Sequence, residues 1–210
     1  MSYIHNMTRI VNSTARAYRS QLRAQHAEDT RARILDATVR VMADGLASVS
    51  IPAVARQAGV SVPTIYRHFA TKRDLLAAVY PHVVRRSGLD ELVPPRSVDE
   101  LRDGVRALFD RTEAFDDLAR AAMASPASED TRRLNMPDRL AIFRRLADSI
   151  EPRLAEADRA RIARLLVILT ASSSLRMWRN HLGSSVEQAA GDVDWVVRAA
   201  IAAATRRGER

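Results

Sequence analysis

Residues Ser50–Asp74, SIPAVARQAGVSVPTIYRHFATKRD, decide the fold, because they spell two short helices joined by a tight turn. Ser50 stands where it can cap a first helix through Ala58, and Ile51, Val54, Ala55 and Ala58 recur at helical spacing to make one buried face. Gly59 ends that helix, since glycine takes the left-handed conformation without steric cost; Val60 follows as a hydrophobic contact and Ser61 caps the next helix. Pro63 falls in the first turn of the second helix, where an absent N–H breaks no intrahelical bond, and Ile65 and Phe69 face inward. The outward face carries Val62, Thr64, Tyr66, Arg67 and His68, a set of hydroxyl, cationic and aromatic groups without an internal ion pair. Such a face suits DNA. A helix-turn-helix places the start of its second helix in the major groove, while flanking hydroxyls and cations hold phosphates. A glycine between two helices is also common in all-α proteins generally, where Tyr66 and His68 would be half-buried packing residues.

The longer string Ala58–Leu76, AGVSVPTIYRHFATKRDLL, resembles the tetracycline-repressor family of bacterial transcription regulators, with Gly45 closing the preceding helix and Lys72 opening the next. The glycine turn, the Thr-x-Tyr-x-His-Phe order and the following Thr-Lys all fall in family register, over roughly Thr30 to Tyr80. The resemblance implies that Val62, Pro63, Thr64 and Arg67 face bases or nearby backbone, and that Tyr66, His68 and Lys72 bind phosphate. With the hydroxyls of Ser50 and Ser61 these make the candidate DNA-binding set. Pro52 departs from the pattern: many members have a polar or charged residue there that reaches a base, and that contact is missing here.

At 210 residues, 47% hydrophobic and 28% charged, the chain has the composition of a soluble globular protein. The longest apolar run, around Leu165 to Ser174, is too short to span a membrane, and the N-terminus has no signal-peptide hydrophobic region, so a cytoplasmic location is expected. The absence of cysteine excludes disulfides, thiol redox switches and cysteine-ligated zinc or iron–sulfur centres. The net charge of +8 is uneven: Met1 to Asp74 carries 11 Lys/Arg against 5 Asp/Glu, and the remaining chain 22 against 20. The excess therefore sits with the helix-turn-helix, where it supplies sequence-independent attraction to phosphate.

Three segments are expected. Residues 1–27 form a basic, flexible extension in which Arg9, Arg16, Arg19 and Arg23 have no acidic partner before Glu28; it is either disordered or an arm that reaches the DNA backbone or minor groove. Residues 28–76 form the DNA-binding domain, with a first helix from Glu28 to Gly45 stopped by Gly45 and Leu46. Residues 77–210 form a helical effector-binding and dimerisation domain. A helix from Lys72 towards Arg86, capped by Thr71 with Asp74 and interrupted by Pro81, connects the two domains as a lever. A Ser97–Glu100 capping box then starts a helix carrying Leu101, Val105, Leu108 and Phe109, followed by a shorter helix over Ala114–Ala124. Ser125–Asn135 reads as a polar, mobile loop, and a further helix runs from Pro137 to near Pro152. No strand pattern occurs, so the chain is all-α.

Two long apolar helices close the chain, Glu156–Leu182 and Gly191–Thr205. The run LLVILTASSSL is apolar or small on every side, which means burial on more than one side, either in a large core or against a second subunit. The resemblance makes these the dimer-forming pair, with Leu169, Ser173, Val196, Ala199, Ala200 and Ala203 as candidate interface residues. Between the helices a small-molecule pocket is expected, mostly apolar with a few orienting polar groups. Phe109, Phe115, Met123, Phe143, Met177 and Trp178 are candidates for its walls, and Arg176, Asn180 and His181 for its polar groups. No phosphate-binding glycine loop, nucleophile elbow or metal-ligand spacing occurs, so neither cofactor nor catalysis is expected. The leading reading is a homodimeric repressor that binds a palindromic operator and is released by a small, mostly apolar effector of unnamed identity. Its rivals are an architectural DNA-binding protein without effector, and a helical enzyme or lipid carrier with an accidental motif.

Overall fold

The computed structural model describes residues 2–45 and 48–208, with side chains described over 20–45 and 48–207. Helix α1 (Ser2–Ala43) is helical well upstream of the expected start at Glu28. Neither glycine nor proline occurs between Ser2 and Ala43, and an established helix gains a backbone bond with each residue added, even without an apolar face. The side chains of Arg9, Arg16 and Arg19 lie outside the described residues, as does Leu46. Gly45 ends the helix at φ 77°.

Helices α2 (Ile51–Ala58), α3 (Val62–His68) and α4 (Lys72–Arg86) follow in quick succession. The Thr71–Asp74 capping box forms: the Asp74 amide donates to the Thr71 hydroxyl at 3.1 Å, and the Thr71 amide to the Asp74 carboxylate at 2.9 Å. Helix α4 continues through Pro81. A short 3-10 turn, Leu89–Glu91, leads to α5 (Leu101–Glu113). This helix starts later than the Ser97–Glu100 box implied, because the Glu100 carboxylate accepts from the Arg96 amide at 2.9 Å and Glu100 itself becomes the N-cap.

Helix α6 (Asp117–Ala124) is capped by Asp116, whose carboxylate accepts from the Ala119 amide at 2.7 Å. Helix α7 (Ser128–Ile150) overturns the expectation of a mobile loop over Ser125–Asn135. Ser125, Ser128, Thr131 and Asn135 are buried, not solvated. Their polar groups are largely satisfied by nearby carbonyls: Ser128 donates to the carbonyl of Ser125 at 2.7 Å and Asn135 to that of Thr131 at 2.8 Å. Polar composition suggests exposure, whereas local side-chain to backbone bonds let a polar face turn inward.

The expected helix Glu156–Leu182 is broken into α8 (Glu156–Leu169), α9 (Ser172–Arg176) and a wider π-type turn, Met177–His181. At the break, Thr170 donates to the carbonyl of Leu166 at 2.7 Å and Ser174 to that of Ile168, so hydroxyls satisfy carbonyls at the end of α8. Helix α10 (Val186–Gly208) is longer at both ends than expected. The chain is all-α, with no strand among the described residues.

Two apolar clusters organise these helices. The first joins α1 to α4 and takes in Phe115, Ala122, Met123 and Ala127, so that α6 packs on α1. The second joins α5, α8 and α10 around Phe109, Leu166 and Val193. The boundary placed after Leu76 falls within α4, whose Val79 and Val83 continue the first cluster.

Candidate functional site

The turn between α2 and α3 is built by backbone chemistry. Gly59 adopts φ 65° and ψ 37°, its amide donates to the carbonyl of Arg56, and the Val60 amide reaches back to Ala55 at 3.0 Å. The pair of bonds satisfies carbonyls that the end of α2 would otherwise leave open. Ser61 then caps α3, accepting from the Thr64 amide at 3.2 Å, with the two hydroxyls 2.9 Å apart. Ser50 occupies the N-cap position of α2 in extended conformation but makes no side-chain capping bond, so its hydroxyl is exposed and available to another partner. Pro52 and Pro63 lie in the first turns of their helices, where no amide is needed.

Helix α3 is seated by Ile65 and Phe69, 1% and 3% exposed, and Arg31 of α1 stacks over the Phe69 ring at 4.4 Å. Its other faces point to solvent. Ser61, Pro63, Tyr66 and Arg67 are exposed, and Val62, Thr64, His68 and Lys72 are half-buried. Tyr66, at 47% exposure, is no packing residue. Over residues 48–80 no ion pair forms among the described residues, although Arg56, Arg67, Lys72 and Arg73 are present beside the single acid Asp74. Downstream arginines are treated differently: Arg86, Arg102, Arg159 and Arg198, for example, all have carboxylate partners. Unpaired cations around an exposed helix start are what a phosphate backbone requires. Arg56 of α2 and Arg73 of α4 are exposed and without ion pairs among the described residues, and the sequence reading, which weighs α3 and its caps, does not include them.

The sequence pattern of bacterial regulatory proteins of the tetR family matches residues 34–79, the span from mid-α1 into α4. The chain carries a tetR-family helix-turn-helix domain. An HTH-type transcriptional regulator of Mycobacterium tuberculosis, itself uncharacterized, is 40% identical over 63 residues, 30% of this chain and 32% of the relative. The regulator SrpR of Pseudomonas putida is 42% identical over 57 residues, 27% of each chain. AcrR of Shigella flexneri is 30% identical over 113 residues, 53% of this chain and 48% of the relative. The chain thus spans between a quarter and a half of the curated relatives it matches. The tetR-family likeness is concentrated in the helix-turn-helix.

Outside the tetR-family domain, a cavity of about 420 Å³ opens between the end of α5, α6 and the α9 segment. Of the candidate ligand residues, Phe115, Met123, Arg176 and Asn180 line it. Phe109 does not, being fully buried in the second cluster, and Phe143 packs against that cluster. Met177 and Trp178 line a separate shallow groove with Leu169, Ser173, Ser174 and Leu182, and His181 is exposed. The remaining lining, Thr112, Glu113, Arg120, Ser172, Leu175 and Arg179, was not foreseen. The Ser/Thr run that breaks α8 from α9 was the available signal, because a helix break opens space beside it. The lining joins Phe115 and Met123 of the first cluster to Leu175 of the second.

The candidate interface residues divide. Ala199 and Ala203 are exposed on α10, Val196 and Leu169 half-buried, and Ser173 exposed, while Ala200 packs against the second cluster. Four large apolar side chains nearby in sequence stand in solvent: Ile168 at 63%, Met177 at 52%, Leu182 at 61% and Trp195 at 71%. No helix among the described residues is long and apolar enough to cross a membrane.

Proposed function

We propose that this chain is a ligand-responsive transcriptional regulator, acting as a repressor in the cytoplasm, that binds a palindromic operator as a homodimer. The observation that carries this reading is the α3 surface: a short helix seated by Ile65 and Phe69, with Tyr66 and Arg67 exposed and surrounding cations unpaired. In this reading Val62, Pro63, Thr64 and Arg67 address bases, and Ser50, Ser61, Tyr66, His68 and Lys72 hold backbone. A helix of this length reads only a few base pairs, so a useful operator needs two copies, related by the symmetry of a dimer. The exposed apolar side chains of the C-terminal third supply the surface for it.

The effector of this reading occupies the cavity beside Phe115 and Met123. A ligand shifts a two-state balance only through an element whose position it alters. The α5–α6 corner qualifies, since it lines the cavity and is tied to the DNA-binding side: Arg86 of α4 bridges Asp116 at 3.0 Å and Asp36 of α1 at 2.8 Å, and His82 meets Asp36 at 2.8 Å. Phe109, Phe143 and Trp178, candidates for the walls of the expected pocket, do not line this cavity.

Selection of bound duplexes from a random pool tests the reading. The expected result is an inverted repeat, bound by two chains. Equal affinity for every duplex would mark an architectural protein, and failure to retard any duplex at low salt would remove the DNA-binding reading altogether.

A further inference from the structure

We infer that the cavity between α5, α6 and α9 takes an organic acid, its carboxylate paired with Arg176 and its apolar body against Phe115, Met123 and Leu175. The inference rests on the effector reading above and adds one negative charge to its small, mostly apolar ligand. Three guanidinium groups line the cavity, those of Arg120, Arg176 and Arg179, against one carboxylate, Glu113. Two of the three are already engaged. Arg179 donates to Glu113 at 2.5 Å and to the carbonyl of Ser184 at 2.8 Å, while Arg120 pairs with Asp117 and donates to the carbonyl of Glu113 at 3.1 Å. Arg176 has neither hydrogen bond nor ion pair among the described residues, although it is half-buried.

Its surroundings make the charge less welcome still. Arg132 of α7 is close enough to repel it: burial first, and then Arg176, hold the Arg132 guanidinium below its ordinary range. Glu129, at 3.8 Å from Arg132, offsets this only in part. An uncompensated, half-buried cation beside a second cation, in a cavity walled in part by Phe115, Met123 and Leu175, is stabilised by an anion. One free guanidinium matches one carboxylate, in charge and in its planar fork of donors. A phosphate monoester carries more charge than a single free guanidinium balances, which favours the carboxylate.

Calorimetric titration of the 210-residue chain with hexanoate, decanoate and 2-naphthoate, each beside its primary amide and with decyl phosphate as a further ligand, tests this. At least one acid should bind about tenfold or more tightly than its amide, and added salt should weaken the acid but not the amide. Arg176→Gln should abolish the preference and Arg176→Lys should keep part of it, with circular dichroism confirming that both variants fold. The inference is overturned if no acid binds, if amides bind as tightly as acids, if R176Q retains the preference, or if decyl phosphate binds more tightly than decanoate. Operator release, followed in the same titrations, separates this from the regulator reading. Acids that bind through Arg176 yet leave operator affinity unchanged sustain the site and defeat the regulator; amides that bind and release operator do the reverse.

Discussion

Arg67 and Lys72 carry the same charge on neighbouring parts of one surface, yet they stand differently. Arg67 is exposed on α3, the helix proposed to enter the groove, whereas Lys72 is half-buried at the start of α4. Arg67→Ala should therefore relax base preference, at about 1–3 kcal/mol for a bidentate base contact. Lys72→Ala should weaken all duplexes by a similar factor and shallow the salt slope by roughly one ion. Binding isotherms of both variants on operator and random duplex, over a range of salt, check the distinction; identical profiles for the two would defeat it. These proposed roles rest on residue types that sit at set offsets from Gly59 and Thr71. The partnerless state of Arg176 was not legible, since it depends on which acids the fold brings near, and Glu113 is drawn to Arg179 instead.

At the scale of elements, the turn residue Gly59 offers a clean separation of strain from crowding. A Cβ there would meet nothing within 4 Å, so Gly59→Ala acts through the backbone angle alone. The left-handed conformation costs a non-glycine residue roughly 1–2 kcal/mol, and thermal unfolding should show a loss of that size. A larger loss would mean that α2 and α3 repack. The Arg86 bridge to Asp36 and Asp116 should behave in the opposite way. Its partners are substantially solvent-exposed, so Arg86→Ala should lower stability by only about 0–1 kcal/mol. Yet it should reduce the effect of bound ligand on operator affinity, because the α5–α6 corner loses its ion-pair link to α1 and α4 and keeps only the packing of α6 on α1. Operator titrations with and without decanoate measure this, and unchanged coupling would place the switch elsewhere. Helix existence was readable from apolar spacing, as in Leu101, Val105 and Phe109. What misled was polarity: the buried Ser128 and Asn135 look like loop residues until their carbonyl partners are known, and a helix that hydropathy alone would continue ends at Thr170, where the hydroxyls of Thr170 and Ser174 bond carbonyls of α8.

For the whole molecule, the question is what covers the apolar side chains left in solvent by the C-terminal helices. Trp195 at 71% exposure and Ile168 at 63% are large, and α10 presents Val196, Ala199 and Ala203 within the same turns as Trp195. On the proposed function a second copy of the chain is the occupant, because two recognition helices about 34–36 Å apart, or a multiple, would read successive major grooves. A test must spare the core. Ala200 is poorly placed for one, as it packs against the second cluster and a charge there would also destabilise the monomer. Trp195→Asp is better, since the side chain is already in water in the single chain. In a dimer it would place an unpaired carboxylate in the interface of each copy, which should shift the equilibrium towards monomer by several kcal/mol while leaving monomer unfolding almost unchanged. Sedimentation should then show dimer for wild type and monomer for W195D at micromolar concentration, with operator affinity falling in parallel. Wild-type chain that sediments as a monomer both free and on DNA would defeat the assembly. A W195D chain that remains dimeric would move the interface away from α10.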